Sequence, residues 1–212
     1  MSTSNVSDYG LWGLVILNIV IFVAFAYSFF KPQTRTDWRT LGSFSAFVVA
    51  LFVEMYGVPL TMYLLAGWLQ TRYPGLNPLS HEAGHLWWSV LGLKGDPHFN
   101  IIHIASMVAI VVGMFMLSSA WPVLYRAQRA GEIAQEGLYA RCRHPQYLGF
   151  IVIMAGFLLQ WPTLLTLLMF PLLVWRFVRL ARDEEREARQ HFGARWDAYS
   201  ARTPAWIPRL GT

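Results

Sequence analysis

The chain has 212 residues, of which 55% are hydrophobic, 16% aromatic and only 14% charged, and its mean hydropathy is +0.38. Soluble domains carry about 25% charged residues, so the composition excludes an ordinary soluble enzyme and predicts an all-α, polytopic transmembrane helical bundle forming one domain. The net charge of +5 is read through membrane topology and not as nucleic-acid binding, and the single cysteine, Cys142, excludes an internal disulfide and a cysteine-based zinc cluster.

In chain order, residues 11–30 carry no charge over about 20 positions, the length a bilayer core demands. No basic segment precedes this run, so it reads as a retained first span and not as a cleavable leader. Lys31, Arg35 and Arg39 make the next linker, to Thr40, basic. Basic loops stay in the cytoplasm, which places the N-terminus outside. Residues 44–69 form a second apolar run, long enough to tilt, with Pro59 able to kink it and Glu54 as its only charge. An intramembrane carboxylate is costly, so Glu54 is a candidate catalytic group, or else a neutral acid hydrogen-bonded inside the bundle. Residues 70–100 read as a loop, punctuated by Pro74, Gly75, Pro78, Gly92, Gly95 and Pro97.

Residues 101–123 form a third span with His103 close to its start, and deliver the chain to a basic segment holding Arg126, Arg129, Arg141 and Arg143. Residues 150–175 could be one kinked span or a hairpin turning at Gln160, Trp161 and Pro162. Of 17 basic residues, four lie in 126–143 and eight in 176–209, so both flanks read as cytoplasmic. Only a hairpin returns both to one side, which makes five spans, with the C-terminus cytoplasmic. Beyond residue 175, Arg179, Arg182, Glu185, Arg186 and Arg189 recur at helical spacing and predict a helix that leaves the bilayer and stops before Thr203-Pro204. The chain thus divides into a three-span part, 1–125, and a ligand-binding part, 126–212.

The two cytoplasmic margins carry complementary chemistry. Arg143 and His144, followed by Pro145 as a first helical residue, suit a carboxylate. Glu184 and Glu185 suit an ammonium, and Tyr139, Tyr147, Phe192, Trp196 and Tyr199 offer faces for a purine or a cation, unless they are an interfacial belt. A ligand with a carboxylate, an ammonium and a purine is S-adenosylmethionine.

The order Arg143-His144-Pro145-x-Tyr147-Leu148-Gly149, an apolar hairpin, Glu184-Glu185, Phe192-Gly193-x-x-Trp196-x-x-Tyr199 and Thr203-Pro204-x-x-Ile207-Pro208 resembles the isoprenylcysteine carboxyl methyltransferase and phospholipid N-methyltransferase family of membrane enzymes. The resemblance covers roughly the C-terminal third. It implies an S-adenosylmethionine-dependent methyltransferase in which His144, Tyr147, Leu148 and Gly149 contact the cofactor and Glu185 binds its amino group. It also implies an arginine shortly before the acidic pair, for which Arg179 and Arg182 both stand as candidates. The methyl acceptor would be a lipophilic or small O-, N- or S-nucleophile reaching the site from the bilayer, and the short loops suit a bacterial inner membrane. No base is assigned.

Two other function classes remain open. His81-Glu82-Ala83-Gly84-His85 matches the His-Glu-x-x-His pattern of zinc metalloproteases, with His98 or His103 as a third ligand and Glu54 a further one. It reads as a protease, a structural metal site or hydrogen-bonded loop histidines. A non-enzymatic membrane scaffold or transporter subunit would bind no cofactor at all.

Overall fold

The computed structural model describes residues 9–29, 32, 35–78, 80–92, 96 and 98–208, without the side chains of Glu82 and Ser89. Phe30, Lys31, Gly95, Pro97 and Arg209, used above in reading the sequence, lie outside these residues.

No strand occurs among the described residues, and eight α-helices carry the fold: α1 (Trp12–Phe29), α2 (Arg35–Phe52), α3 (Leu60–Arg72), α4 (Leu86–Val90), α5 (Ile101–Ala130), α6 (Pro145–Gln160), α7 (Leu164–Phe192) and α8 (Ala194–Arg202). Trp12–Phe29, Arg35–Gly57, Ile101–Ala130 and Leu164–Phe192 are long and apolar enough to cross a membrane, and Pro145–Gln160 is a shorter apolar helix. Their outer faces are apolar and uncovered: Ile16, Val20, Phe115, Leu168 and Leu172 are all exposed. Such a surface is untenable in water and ordinary in lipid.

The expected hairpin is present. α6 ends at Gln160, residues 161–163 turn, and Thr163 opens α7 with a capping box shared with Thr166. α7 has 29 residues, about 43 Å at the helical rise. Its half up to Trp175 is apolar, and its half from Arg176 carries the charged residues. At Gly193 the backbone takes φ 54°, a conformation glycine adopts without penalty, and α8 folds back.

The helix expected to continue past residue 175 and stop before Thr203-Pro204 is interrupted at Gly193 into α7 and α8, and two further regions differ from the reading of the sequence. The second apolar run is not one kinked span: after α2, Val53–Gly57 forms a π turn, the chain breaks at Val58-Pro59, and α3 begins as a separate helix of 13 residues, about 20 Å and too short to cross. The break is fixed by its hydrogen bonds. Glu54 Oε2 accepts from Thr61 N–H at 2.9 Å, while Gly57 and Tyr56 carbonyls accept from Gly10 and Leu11 at the start of α1. Secondly, the linker predicted up to Thr40 is already α2 from Arg35, so Asp37 and Thr40 are buried helical residues.

The tightest packing is between α5 and α6. A Cβ on Gly113 would lie 2.5 Å from Ile153 Cγ1 and 2.7 Å from the Gly149 carbonyl, and one on Gly156 would lie 2.8 Å from Ile110 Cγ1. Small residues let two membrane helices approach closely enough for van der Waals packing to hold them. Gly113→Leu is therefore expected to cost at least about 1–3 kcal/mol through overpacking, seen as a lowered unfolding temperature in detergent. Gly67→Leu, at an exposed position with open space, should leave it unchanged.

Candidate active site

The C-terminal margin of the hairpin is built around Glu185. Its Oε1 accepts from Arg143 Nε at 2.8 Å and His144 Nε2 at 2.9 Å, and Arg143 Nη2 lies 2.8 Å away. Arg143 Nη1 meanwhile donates to the carbonyls of Ser200 and Thr203, and the Arg143 and His144 amides donate to the carbonyls of Pro204 and Ala205. One guanidinium thus joins the start of α6, the charged half of α7 and the exit of α8. The hydrogen bond from His144, then that from Arg143, holds the Glu185 carboxyl down at about 2, against the desolvation that opposes them.

Glu184 has a different environment. Its Oε1 accepts from Tyr147 Oη at 2.6 Å, and its Oε2 lies 3.8 Å from His144 Nδ1, a buried nitrogen with no hydrogen-bond partner among the described residues. Burial raises the Glu184 carboxyl to about 7, only partly offset by the Tyr147 hydrogen bond. Adjacent carboxylates are thereby separated in role: one is permanently charged and paired, and the other titrates near neutrality and faces open space.

That space is a cavity of about 750 Å³, within the range of small-molecule sites, lined on one side by His144, Gln146, Tyr147 and Glu184. Trp121, Tyr139, Phe192, Trp196 and Tyr199 supply its aromatic walls. Tyr139 and Tyr199 are locked: Tyr139 Oη donates to Gln146 Oε1 at 3.0 Å, and Tyr199 Oη donates to the Tyr139 carbonyl at 2.8 Å. Burial pushes both phenols above their ordinary range, so they remain neutral donors. Cys142, buried nearby, is likewise pushed up to about 11 and stays a thiol.

Sequence reasoning missed Asp37 and Thr40 on α2 and Trp121 and Gln128 on α5, all of which line the cavity. The available signal was Asp37 and Thr40 at i, i+3, one turn apart at the head of an apolar run. Several predicted residues are placed elsewhere. Leu148 and Gly149 do not line the cavity; Gly149 serves the α5 contact, where a Cβ would meet Leu117 and the Gly113 carbonyl at 3.0–3.1 Å. Glu185 lies on a separate groove of about 790 Å³ between α7 and α8, shared with Arg179 and Arg182, whereas Arg143 lines both that groove and the cavity. Arg179 also stacks over Trp175, 5.6 Å from its centroid. Arg179 and Arg182 are therefore outside the cavity. So is Glu54, which caps α3 beside the α6–α7 turn, about 24 Å away along α6.

At that far end lie the histidines. His81–Gly84 is a single 3-10 turn and His85 follows it, so the His-Glu-x-x-His pair does not occupy the α-helical face that the metalloprotease arrangement uses. The Glu82 side chain lies outside the described residues. Burial, with the neighbouring His98, lowers His85 to about 4 and keeps it neutral.

Glu185 ties its pairing to stability. Its carboxyl is held below the ordinary value, so its contribution is complete above that value and is lost as pH falls toward about 2. Thermal unfolding across this acid window should show a steep loss for the native chain and a shallower one for Glu185→Gln. Arg143→Ala, which strands two carbonyls and the carboxylate, is expected to cost about 1.5–3 kcal/mol.

Residues 99–189 match the family model described as the isoprenylcysteine carboxyl methyltransferase (ICMT) family. The segment includes His144, Tyr147, Glu184 and Glu185 and stops before the Phe192-to-Pro208 portion of the motif. Among similar curated proteins, protein-S-isoprenylcysteine O-methyltransferase B of Arabidopsis thaliana is 30% identical over 84 residues, 39% of this chain and 43% of that one. The protein-S-isoprenylcysteine O-methyltransferase of Schizosaccharomyces pombe is 24% identical over 122 residues, 53% of this chain and 52% of that one. That of Rattus norvegicus is 29% identical over 100 residues, 46% of this chain and 35% of that one. The chain thus spans about half the length of these relatives or less, and no solved structure matches it. Over residues 99–189, the segment that joins α5, α6 and α7, the chain is similar to the isoprenylcysteine carboxyl methyltransferase family.

Proposed function

We propose that the chain is an S-adenosylmethionine-dependent methyltransferase that binds its cofactor in the 750 Å³ cavity and methylates a lipophilic or small nucleophile delivered from the bilayer. The observation that carries this reading is the pair Tyr147–Glu184: a carboxylate oriented by a 2.6 Å hydrogen bond, poised near neutrality and facing a cavity with aromatic walls. The names of the relatives, all O-methyltransferases, support it.

The donor set fits the cofactor's polar groups. Glu184 meets the ammonium, which its second oxygen can reach while the first stays on Tyr147. The first turn of α6, whose Gln146 and Tyr147 line the cavity, faces the carboxylate, with His144 Nδ1 adjacent. Trp121, Phe192 and Trp196 flank the purine. When bound, S-adenosylmethionine supplies an electrophilic methyl on a sulfonium. The chain contributes position and exclusion of water, since in-line transfer needs the nucleophile aligned and little else. Glu185, whose Oε1 already accepts from Arg143 and His144, acts as a positioning residue that orients His144 and, through Arg143, holds α8 to the site. Thr36, Asp37, Thr40 and Leu124 form the side of the cavity on α2 and α5, the path by which an acceptor with an apolar body would approach from lipid. The Arg-rich margin around the cavity faces the cytoplasm.

Calorimetry with S-adenosylmethionine on detergent-solubilised protein tests the binding. Below about pH 7 a proton competes with the ammonium for Glu184, so affinity should weaken about tenfold per pH unit and level off above. Glu184→Gln should weaken binding and flatten that profile; a profile unchanged by the substitution, or no binding at millimolar cofactor, would falsify the assignment. Transfer of labelled methyl into lipid extracts, isoprenylated cysteine and small thiols then identifies the acceptor, with Tyr147→Phe expected to bind cofactor more weakly than the native chain.

A further inference from the structure

The end of the bundle opposite the cavity holds a second concentration of ligating side chains. One ring nitrogen from each of His81, His85 and His98 lies within 4.8 Å of the others, and the His103 ring is centred 5.6 Å from both His85 and His98. Four imidazoles from the loop after α3, the loop before α5 and the first turn of α5 thus converge against the α6–α7 turn.

The hydrogen bonds around them select tautomers. His85 Nδ1 lies 3.0 Å from the Gln160 carbonyl, which can only accept, so Nδ1 carries the proton and Nε2 carries a lone pair. His85 is 95% buried, its relative exposure being 5%, and its Nε2 has no hydrogen-bond partner among the described residues. His98 Nδ1 lies 3.0 Å from Asp96 Oδ1, so its proton is also directed to an acceptor and its Nε2 left basic. His103 Nδ1 is also buried without a hydrogen-bond partner among the described residues. An imidazole whose distal N–H is held by a carbonyl or carboxylate is the usual form of a metal ligand, because the outer bond fixes the ring and strengthens the donor. A histidine satisfied within the core would show the opposite pattern, with both nitrogens engaged.

We infer that His81, His85 and His98, with His103 as fourth ligand, form a binding site for a divalent transition metal of the zinc type, with Gln160 and Asp96 as the outer partners that orient His85 and His98. An all-imidazole set suits zinc and excludes the hard cations, which require oxygen. Tetrahedral bonds of about 2.0–2.1 Å place ligand atoms about 3.4 Å apart. Among His81, His85 and His98 the present separations therefore close by side-chain rotation of about 1–1.5 Å at most. The site is structural. Gly84 lies so close to Trp161 that a Cβ would sit 1.9 Å from its Cζ2, and His81 and His85 pack on the same indole with centroids at 4.4 and 5.0 Å. A bound ion would fasten the two loops and α5 to the hairpin turn that positions α6 and α7, without entering the methyl-transfer cavity.

The test uses the full chain carrying an affinity tag free of histidine, purified in detergent after growth with zinc and analysed for metal before and after chelation. The expected result is one zinc per chain, replaceable by cobalt with the intense visible absorption of a tetrahedral nitrogen site, and an unfolding temperature that rises on zinc addition. His85→Ala and His98→Ala should each abolish the cobalt spectrum, whereas Asp96→Asn should retain it with affinity lowered about 10–100-fold. The inference is overturned if the native chain takes up neither zinc nor cobalt in stoichiometric amount, or if metal persists undiminished in a His85→Ala/His98→Ala double variant. Because the native chain alone decides the first outcome, a variant that fails to fold does not obscure the result.

Discussion

The site depends on a single carboxylate oxygen. Glu185 Oε1 collects the hydrogen bonds of Arg143 and His144, and the same guanidinium reaches the Ser200 and Thr203 carbonyls. An Arg–carboxylate pair of this kind is strong because both partners are charged and the donors are rigidly spaced. Without it, the charged half of α7, the α8 return and the start of α6 would have no common anchor. The neighbouring Glu184 could then not be held where burial raises it to about 7.

The bundle separates two kinds of chemistry along its axis. At one end of α6, a cavity is bounded by charged and aromatic groups that anchor to backbone carbonyls. At the other, about 24 Å away, four imidazoles gather, two of them packed on Trp161. Between them lies a dry, close-packed seam in which Gly113, Gly149 and Gly156 bring α5 and α6 together. Lipid offers no hydrophobic drive for helix association, so the seam relies on contact distance and the two ends on polar bonds. Gly149 illustrates the division: it lies two residues beyond Tyr147, which faces Glu184, yet its own place is in the seam and not in the cavity.

Much of this was legible because a bilayer converts composition into geometry. The charge-free runs specify spans, and the clustering of arginines on both flanks of residues 150–175 requires a hairpin, which brings His144 beside Glu184 and Glu185. The break at Val58-Pro59 was not legible, since an apolar run with a proline is equally compatible with a kink. What decided it is that Glu54 caps Thr61, a contact made only once the chain has turned. Likewise Asp37, Thr40, Trp121 and Gln128 come from helices about 100 and 20 residues before the motif, and nothing local states which of their faces meets the cavity.

By itself, then, the amino-acid order determined the membrane class, the all-helical architecture and the identity of the charged groups gathered at the two margins, because each of these follows from burying or solvating charge. Only the tertiary structure decided which glutamate is paired and which faces the cavity. Adjacent residues on a helix differ by about 100° in direction, and which direction is buried depends on what packs against it. The same holds for the histidines: their spacing announced ligating groups, but the protons of His85 and His98 are assigned by Gln160 and Asp96, and Gln160 is brought to His85 by the fold from 75 positions away.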